Sequence, residues 1–335
     1  MHRYRRRAGY DGPQLAALAS PGTGTGPCLA FGSSGRLGAA RHGLSRMQLS
    51  ANGLAIEVDD QGPPDGVPLL MIMGLGMQLT AWPDALVRLL VARGFRVVRF
   101  DNRDAGLSEG FDASGTPSLA WALLRFMLHL PVVAPYGLAD MAEDAFGVLD
   151  ALGITQAHVC GASMGGMIAQ HMAASRPERV SRLTLIMTTS GSRRLPQSSA
   201  RVRATMLDRR GGDDVDSAVA RLVRLFSVIG SPGYPPDPAE LRARLAASVR
   251  RAWRPGGVVR QIVAIAADGD RTPLLSRISS PTHIVHGGDD PLVPVAAAHD
   301  LHVRIAGSTL EIVPGMGHDL PAALWPPLAR AIGRA

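Results

Sequence analysis

The sequence predicts an α/β fold: a mostly parallel central sheet covered on both faces by helices, with a helical insertion late in the chain. Three observations predict it. Short apolar runs of strand length alternate with segments of helical period through most of the chain, the pattern of a parallel sheet with crossover helices. The alternation breaks once, over about 191–270, where the sequence turns strongly helical between two strands. A glycine-rich Gly-x-Ser-x-Gly turn, Gly161 to Gly165, joins an apolar strand to a helix.

The elements follow in order. Gly53–Asp59 and Pro68–Met73 read as strands joined by a turn over Gln61–Gly66. Trp82–Arg93 reads as a helix ended by Gly94, and Arg96–Phe100 as the next strand. Leu138, Met141, Ala145, Val148, Leu149 and Leu152 recur at helical spacing before Gly153. Strand Ala157–Cys160, helix Gly165–Ala174 and strand Arg182–Met187 come next. In the insertion, Ala200–Arg209, Val215–Val228, Ala239–Trp253 and Val258–Ala267 read as helices, an arrangement suited to a lid over a site. Strand Thr282–His286, helix Val295–His302, strand Thr309–Val313 and a helix from Pro321 complete the pattern.

Composition narrows the function. The chain has 335 residues and a formal charge of +7, and its basic residues are all arginine, which removes lysine from any mechanism. Residues 1–46 hold seven arginines and one acid, so the remaining 289 residues carry 28 arginines against 27 acids. The body therefore has no general basic field for nucleic acid. No apolar run reaches the roughly 18–20 residues that span a bilayer, so no membrane partner is expected. Cys28 and Cys160 lie in dissimilar settings, one in the extension and one in a buried strand, and a reducing, cytoplasmic location fits. Residues 1–46 lack sustained periodicity and are expected to be disordered. Three readings of them stay open: translation starting at Met47, a flexible tail, or an arginine-rich targeting peptide.

Three short stretches carry chemistry. Ser163, in Gly161-Ala162-Ser163-Met164-Gly165, sits where a nucleophile elbow would place it, at the start of a helix whose N-terminus favours negative charge. Gly287-Gly288-Asp289-Asp290-Pro291-Leu292-Val293-Pro294 follows strand Thr282–His286. A carboxylate there can orient a histidine, and Asp290 is preferred to Asp289 because it stands three residues after Gly287 and four before Pro294. Pro314-Gly315-Met316-Gly317-His318 follows strand Thr309–Val313 and offers His318 as general base. The order Ser, Asp, His, each just beyond a separate strand, turns three weak signals into a strong one. Other histidines read blandly. His283 and His286 point to opposite strand faces, His299 and His302 lack partners for a metal site, and His171 is a helix packing or surface residue. No cofactor or metal is implied. Cys160 reads as a small buried hydrophobe.

From about Met47 onward the chain resembles the α/β-hydrolase superfamily, and within it the esterases and lactonases related to aclacinomycin methylesterase and 3-oxoadipate enol-lactonase. The resemblance rests on Met71–Pro83, Arg99–Ser108, Cys160–Met167, His286–Pro294 and Pro314–His318, with Gln261–Arg271 and Pro281 matching in the insertion. It implies a serine hydrolase of a small, apolar ester or lactone. It also implies an oxyanion hole made by the N–H groups of Met164 and Leu75. Many relatives carry His-Gly where this chain has Met73-Gly74. The Asp101–Gly106 stretch also matches and reads as a structural turn held by charge-assisted bonds. Met77, Trp82, Trp121, Phe126 and Phe226 are candidates for an apolar pocket, each equally suited to ordinary core. A serine nucleophile disfavours the aspartate-dependent branches of the superfamily. The alternatives left open are a ligand-binding protein on a hydrolase scaffold, a C–C hydrolase and a cofactor-free haloperoxidase.

Overall fold

The hydrophobic alternation along the strands closes into one eight-stranded sheet, seen in a computed structural model that describes residues 45–208, 212 and 214–334. The strands are β1 (Ser45–Ala51), β2 (Leu54–Gln61), β3 (Val67–Ile72), β4 (Phe95–Phe100), β5 (Ala157–Ala162), β6 (Val180–Ile186), β7 (Thr282–Gly287) and β8 (Thr309–Val313). Their order across the sheet is β1-β2-β4-β3-β5-β6-β7-β8. The first two pairings, β1 with β2 and β2 with β4, are antiparallel, and every later one is parallel.

β1 was not expected. It forms a hairpin with β2 through Asn52 and Gly53, both at positive φ (50° and 76°), the conformation that an Asn-Gly turn favours. The hairpin begins at Ser45, so Ser45 and Arg46 belong to the sheet and not to the N-terminal extension. Residues 1–44, the rest of that extension, lie outside the described residues.

The helices are α1 (Asp84–Val91), α2 (Leu119–Met127), α3 (Leu138–Ala151), α4 (Met164–Ser175), α5 (Ala200–Met206), α6 (Val215–Ile229), α7 (Pro238–Arg251), α8 (Pro255–Asp268), α9 (Thr272–Leu275), α10 (Ala296–Arg304) and α11 (Trp325–Ile332). α1 is shorter than its apolar pattern because Pro83 sets its start and residues 79–81 form a separate 3-10 turn. Period-two alternation builds two cores. Leu70, Ile72, Val98 and Val159 point to the face covered by α3, α4 and α10. Leu69, Met71, Val97 and Cys160 point to the other, covered by α1 and α11. β5 is buried along its whole length, between β3 and β6. It thus delivers its carboxyl end, Ser163, to the middle of the sheet edge where sites in such folds lie. Helices α5 to α8 form the helical insertion between β6 and β7, with α6 and α7 packed together through Ala218, Val219, Leu241, Leu245 and Val249. Among the described residues no helix is long and apolar enough to cross a membrane.

Candidate active site

The turn between β5 and α4 holds Ser163 at φ 55°, ψ −120°, a conformation that non-glycine residues rarely adopt and that costs about 1–3 kcal/mol. The surroundings enforce it: Ser163 N–H donates to Ile186 O (2.9 Å), and Thr188 Oγ donates to Ser163 O (2.7 Å). Gly165 is required by close approach, since a Cβ there would lie 2.0 Å from Ile72 O. Gly165→Ala is expected to destabilise the fold by about 3 kcal/mol or more, read as a fall in the thermal midpoint. An unchanged midpoint would mean that α4 can shift away from β3 at little cost.

Ser163 Oγ is 2.9 Å from His318 Nε2, and His318 Nδ1 is 2.6 Å from Asp290 Oδ2. Asp290 can only accept, so Nδ1 carries the proton and Nε2 is the acceptor for the serine hydroxyl. The other oxygen of Asp290 accepts the N–H groups of Leu292 (2.9 Å) and Val293 (2.8 Å), which fixes the carboxylate. Asp289 is used elsewhere: its side chain accepts from Gly315 N–H at 2.8 Å and pins the histidine loop. His286, a residue with no assigned role in the sequence, stands 3.7 Å behind Asp290 and is anchored on Val293 O at 2.8 Å. Burial holds its pKa below the ordinary range.

Leu75 and Met164 flank the serine. Met164 is the first residue of α4, and Gly74 brings the β3 loop so close that a Cβ on it would lie 3.1 Å from Ser163 Cβ. Among the described residues no protein group accepts the N–H of Leu75 or of Met164. A cavity of about 590 Å³ opens onto Ser163 and His318. Its walls come from the β3 loop (Met73, Leu75, Met77) and from the insertion (Leu225, Phe226, Leu245, Trp253).

The other pocket candidates are elsewhere. Trp82 is fully buried in the core beneath α1 and α11, because its segment crosses to the opposite face of the sheet. Trp121 is exposed on α2, and Phe126 on the same helix lies under the Arg193 guanidinium (4.5 Å); neither lines the cavity.

The Asp101–Gly106 turn ties the site to the insertion. Asp101 accepts Leu79 N–H (2.6 Å) and an Arg251 N–H (2.7 Å) from α7. Arg103 grips Asp144 through two bonds of 2.6 Å. Asp104 takes two bonds of 2.7 Å from Arg260 of α8 and one of 2.7 Å from Tyr136. Gln261 donates to Arg103 O and accepts from Gly76 N–H, both at 2.8 Å, bracing the loop that carries Leu75. Arg251, Arg260 and Gln261 gave no individual sign in the sequence of these partners. His171 pairs with Asp268 at 2.8 Å, and Arg271 with the same carboxylate at 2.7 Å. Among the described residues no group of three His, Cys, Asp or Glu side chains could hold a metal ion.

Burial works to raise the pKa of Asp104 and Asp268, but the hydrogen bonds and charges of Arg260 and Tyr136, and of His171 and Arg271, outweigh it and hold both below the ordinary range. Their stabilising contribution is therefore complete above the unfolded value, near pH 4, and lost as pH falls through the folded values. The thermal midpoint is expected to drop below about pH 4, and to drop less in Asp268→Asn. Equal slopes would remove Asp268 from the acid transition.

The model of the α/β-hydrolase fold family matches residues 67–321. The chain is 32% identical over 294 residues to rhodomycin D methylesterase from Streptomyces peucetius, covering 81% of this chain and 91% of that protein. It is 27% identical to a 3-oxoadipate enol-lactonase from Acinetobacter baylyi, over 79% and 87% of the two chains. The solved esterase from Exiguobacterium antarcticum superposes with a TM-score of 0.66 at 22% identity, covering 86% and 97%, a likeness of fold. The chain belongs to the α/β-hydrolase fold family.

Proposed function

We propose that this chain is a serine hydrolase that cleaves a carboxylic ester or lactone through an acyl-enzyme. The observation that carries the reading is the continuous line Asp290–His318–Ser163, with bonds of 2.6 and 2.9 Å, ending at the wall of a cavity. His318 takes the proton of Ser163 as Oγ attacks the carbonyl, and Asp290 stabilises the imidazolium that results. The N–H groups of Leu75 and Met164 receive the oxyanion, aided by the N-terminus of α4. His318 then returns the proton to the leaving alcohol or enol and activates the water that clears the acyl group.

The cavity walls favour a substrate with a bulky apolar body, and the likeness to a methylesterase and an enol-lactonase supports ester or lactone bonds. The insertion supplies much of the cavity wall and serves as its lid. A cytoplasmic setting accords with Cys160 as a free, buried thiol whose pKa burial pushes up. The test is a rapid-mix assay with p-nitrophenyl acetate, followed by mass spectrometry. A burst of about one p-nitrophenolate per chain, with acetyl on the Ser163 peptide, is the expected result. Turnover retained in folded Ser163→Ala would point to a different nucleophile, and tight ligand binding with no acylation would favour the binding-protein reading. A panel of methyl esters, lactones and vinylogous diketones then separates esterase, lactonase and C–C hydrolase.

A further inference from the structure

We propose that Asp319 is a positioning residue that, through Ser231, mounts the loop of His318 on the carboxyl end of α6. The inference rests on the serine-hydrolase reading above. Asp319 follows the general base directly, is buried, and lines the same cavity. One of its oxygens accepts both the Ser231 N–H (3.1 Å) and the Ser231 hydroxyl proton. The Ser231 oxygen, its proton thus committed, accepts the N–H of Gly317 at 2.9 Å. His318 N–H donates to Ile229 O, the last residue of α6, at 2.7 Å. Residues 317, 318 and 319 are each bonded to the segment 229–231, and all of this lies at the point where the insertion meets the core.

The chemistry of the bonds gives the pair its direction. Ser231 has one hydroxyl proton, and it is held by a carboxylate in a buried setting, where such bonds are short and strong. That leaves the Ser231 lone pairs facing Gly317. Without Asp319, the Ser231 N–H and hydroxyl lose their acceptor in a buried place, and the hydroxyl is free to rotate away from Gly317. The Gly317 anchor is then lost. The loop keeps the His318 N–H bond to Ile229 O and the Asp289 bond to Gly315, but the backbone beside the imidazole gains freedom. Burial raises the Asp319 pKa, with the Ser231 bonds and the charges of Arg244 and His318 opposing. The geometry does not depend on its charge, because a neutral amide oxygen accepts the same two bonds.

The experiment measures the rate at which a fluorophosphonate probe labels Ser163 in folded protein, a reaction that needs the serine–histidine pair but not the natural substrate. Kinetics of p-nitrophenyl acetate hydrolysis run beside it. Asp319→Ala and Ser231→Ala are expected to label about 10–100-fold more slowly, with kcat falling similarly and KM within about threefold. Asp319→Asn is expected to recover the rate to within about threefold of wild type, since it restores the acceptor. Should Asp319→Ala fail to fold, Ser231→Ala and Asp319→Asn carry the test. Wild-type rates in folded Ser231→Ala would overturn the inference, and so would an Asp319→Asn as slow as Asp319→Ala, which would make charge the operative property. Failure of the wild type to be labelled would overturn the hydrolase reading itself.

Discussion

Ser163→Ala is expected to lower kcat for ester hydrolysis by roughly 10⁵–10⁶-fold, the scale found when a triad serine is removed. Binding of a non-reactive ester analogue should survive, because the cavity walls are untouched. The companion variant, Ser163→Gly, should be equally inactive yet more stable. The wild-type serine holds φ 55°, ψ −120°, a strain of about 1–3 kcal/mol, and glycine relieves it. Glycine also loses more entropy on folding, about 0.5–1 kcal/mol, so the net gain should be on the order of 1 kcal/mol. A calorimetric scan of wild type, Ser163→Ala and Ser163→Gly decides it. A glycine variant less stable than the alanine variant would mean that the strain at the elbow is smaller than the entropy cost of glycine.

Arg260→Met is expected to destabilise the fold strongly while leaving Ser163, Asp290 and His318 in place. Arg260 and Asp104 are both essentially inaccessible and face each other through two bonds of 2.7 Å. Removing the arginine leaves Asp104 buried with, among the described residues, only Tyr136 and the Phe111 N–H as partners of its side chain. Breaking a buried pair in this way costs about 3–5 kcal/mol, or a fall in thermal midpoint on the order of 10 °C. The double variant Asp104→Asn with Arg260→Met should recover part of that loss, because it removes the uncompensated charge. If the double variant is as unstable as the two losses added, the two residues act independently. Activity should fall as well, since α8 carries Gln261, the brace of the Leu75 loop.

The sheet was legible because its strands advertise themselves twice, by apolar runs and by the glycine-rich loops at their carboxyl ends. Ser163, Asp290 and His318 each stand directly after such a strand, so the parallel architecture alone brings their loops to one edge. The β1–β2 hairpin could have been found from its Asn52-Gly53 dipeptide, which lies between two runs of strand length. Trp82, Trp121 and Phe126 show the limit. Residue type says that an aromatic ring wants burial, not which face of the sheet it will meet, and these three ended in the opposite core, on the surface and under an arginine. The links from Arg251 to Asp101 and from Arg260 to Asp104 join positions 150 and 156 residues apart. No local pattern records such a pairing. Ser231 and Asp319 were invisible for the same reason.

The attachment of residues 317–319 to residues 229–231 bears on how this scaffold can be re-engineered. Exchanging the whole insertion is an attractive route to new substrates, because it forms so much of the cavity wall. Here the exchangeable cassette cannot run unbroken from β6 to β7. The carboxyl end of α6 and Ser231 belong with the base loop, so a donor cassette must either preserve that short bridge or bring a histidine loop evolved alongside it. Chimeras joined before and after this bridge would retain the proton relay, whereas those that replace it would gain a new pocket and lose the alignment that makes the pocket productive.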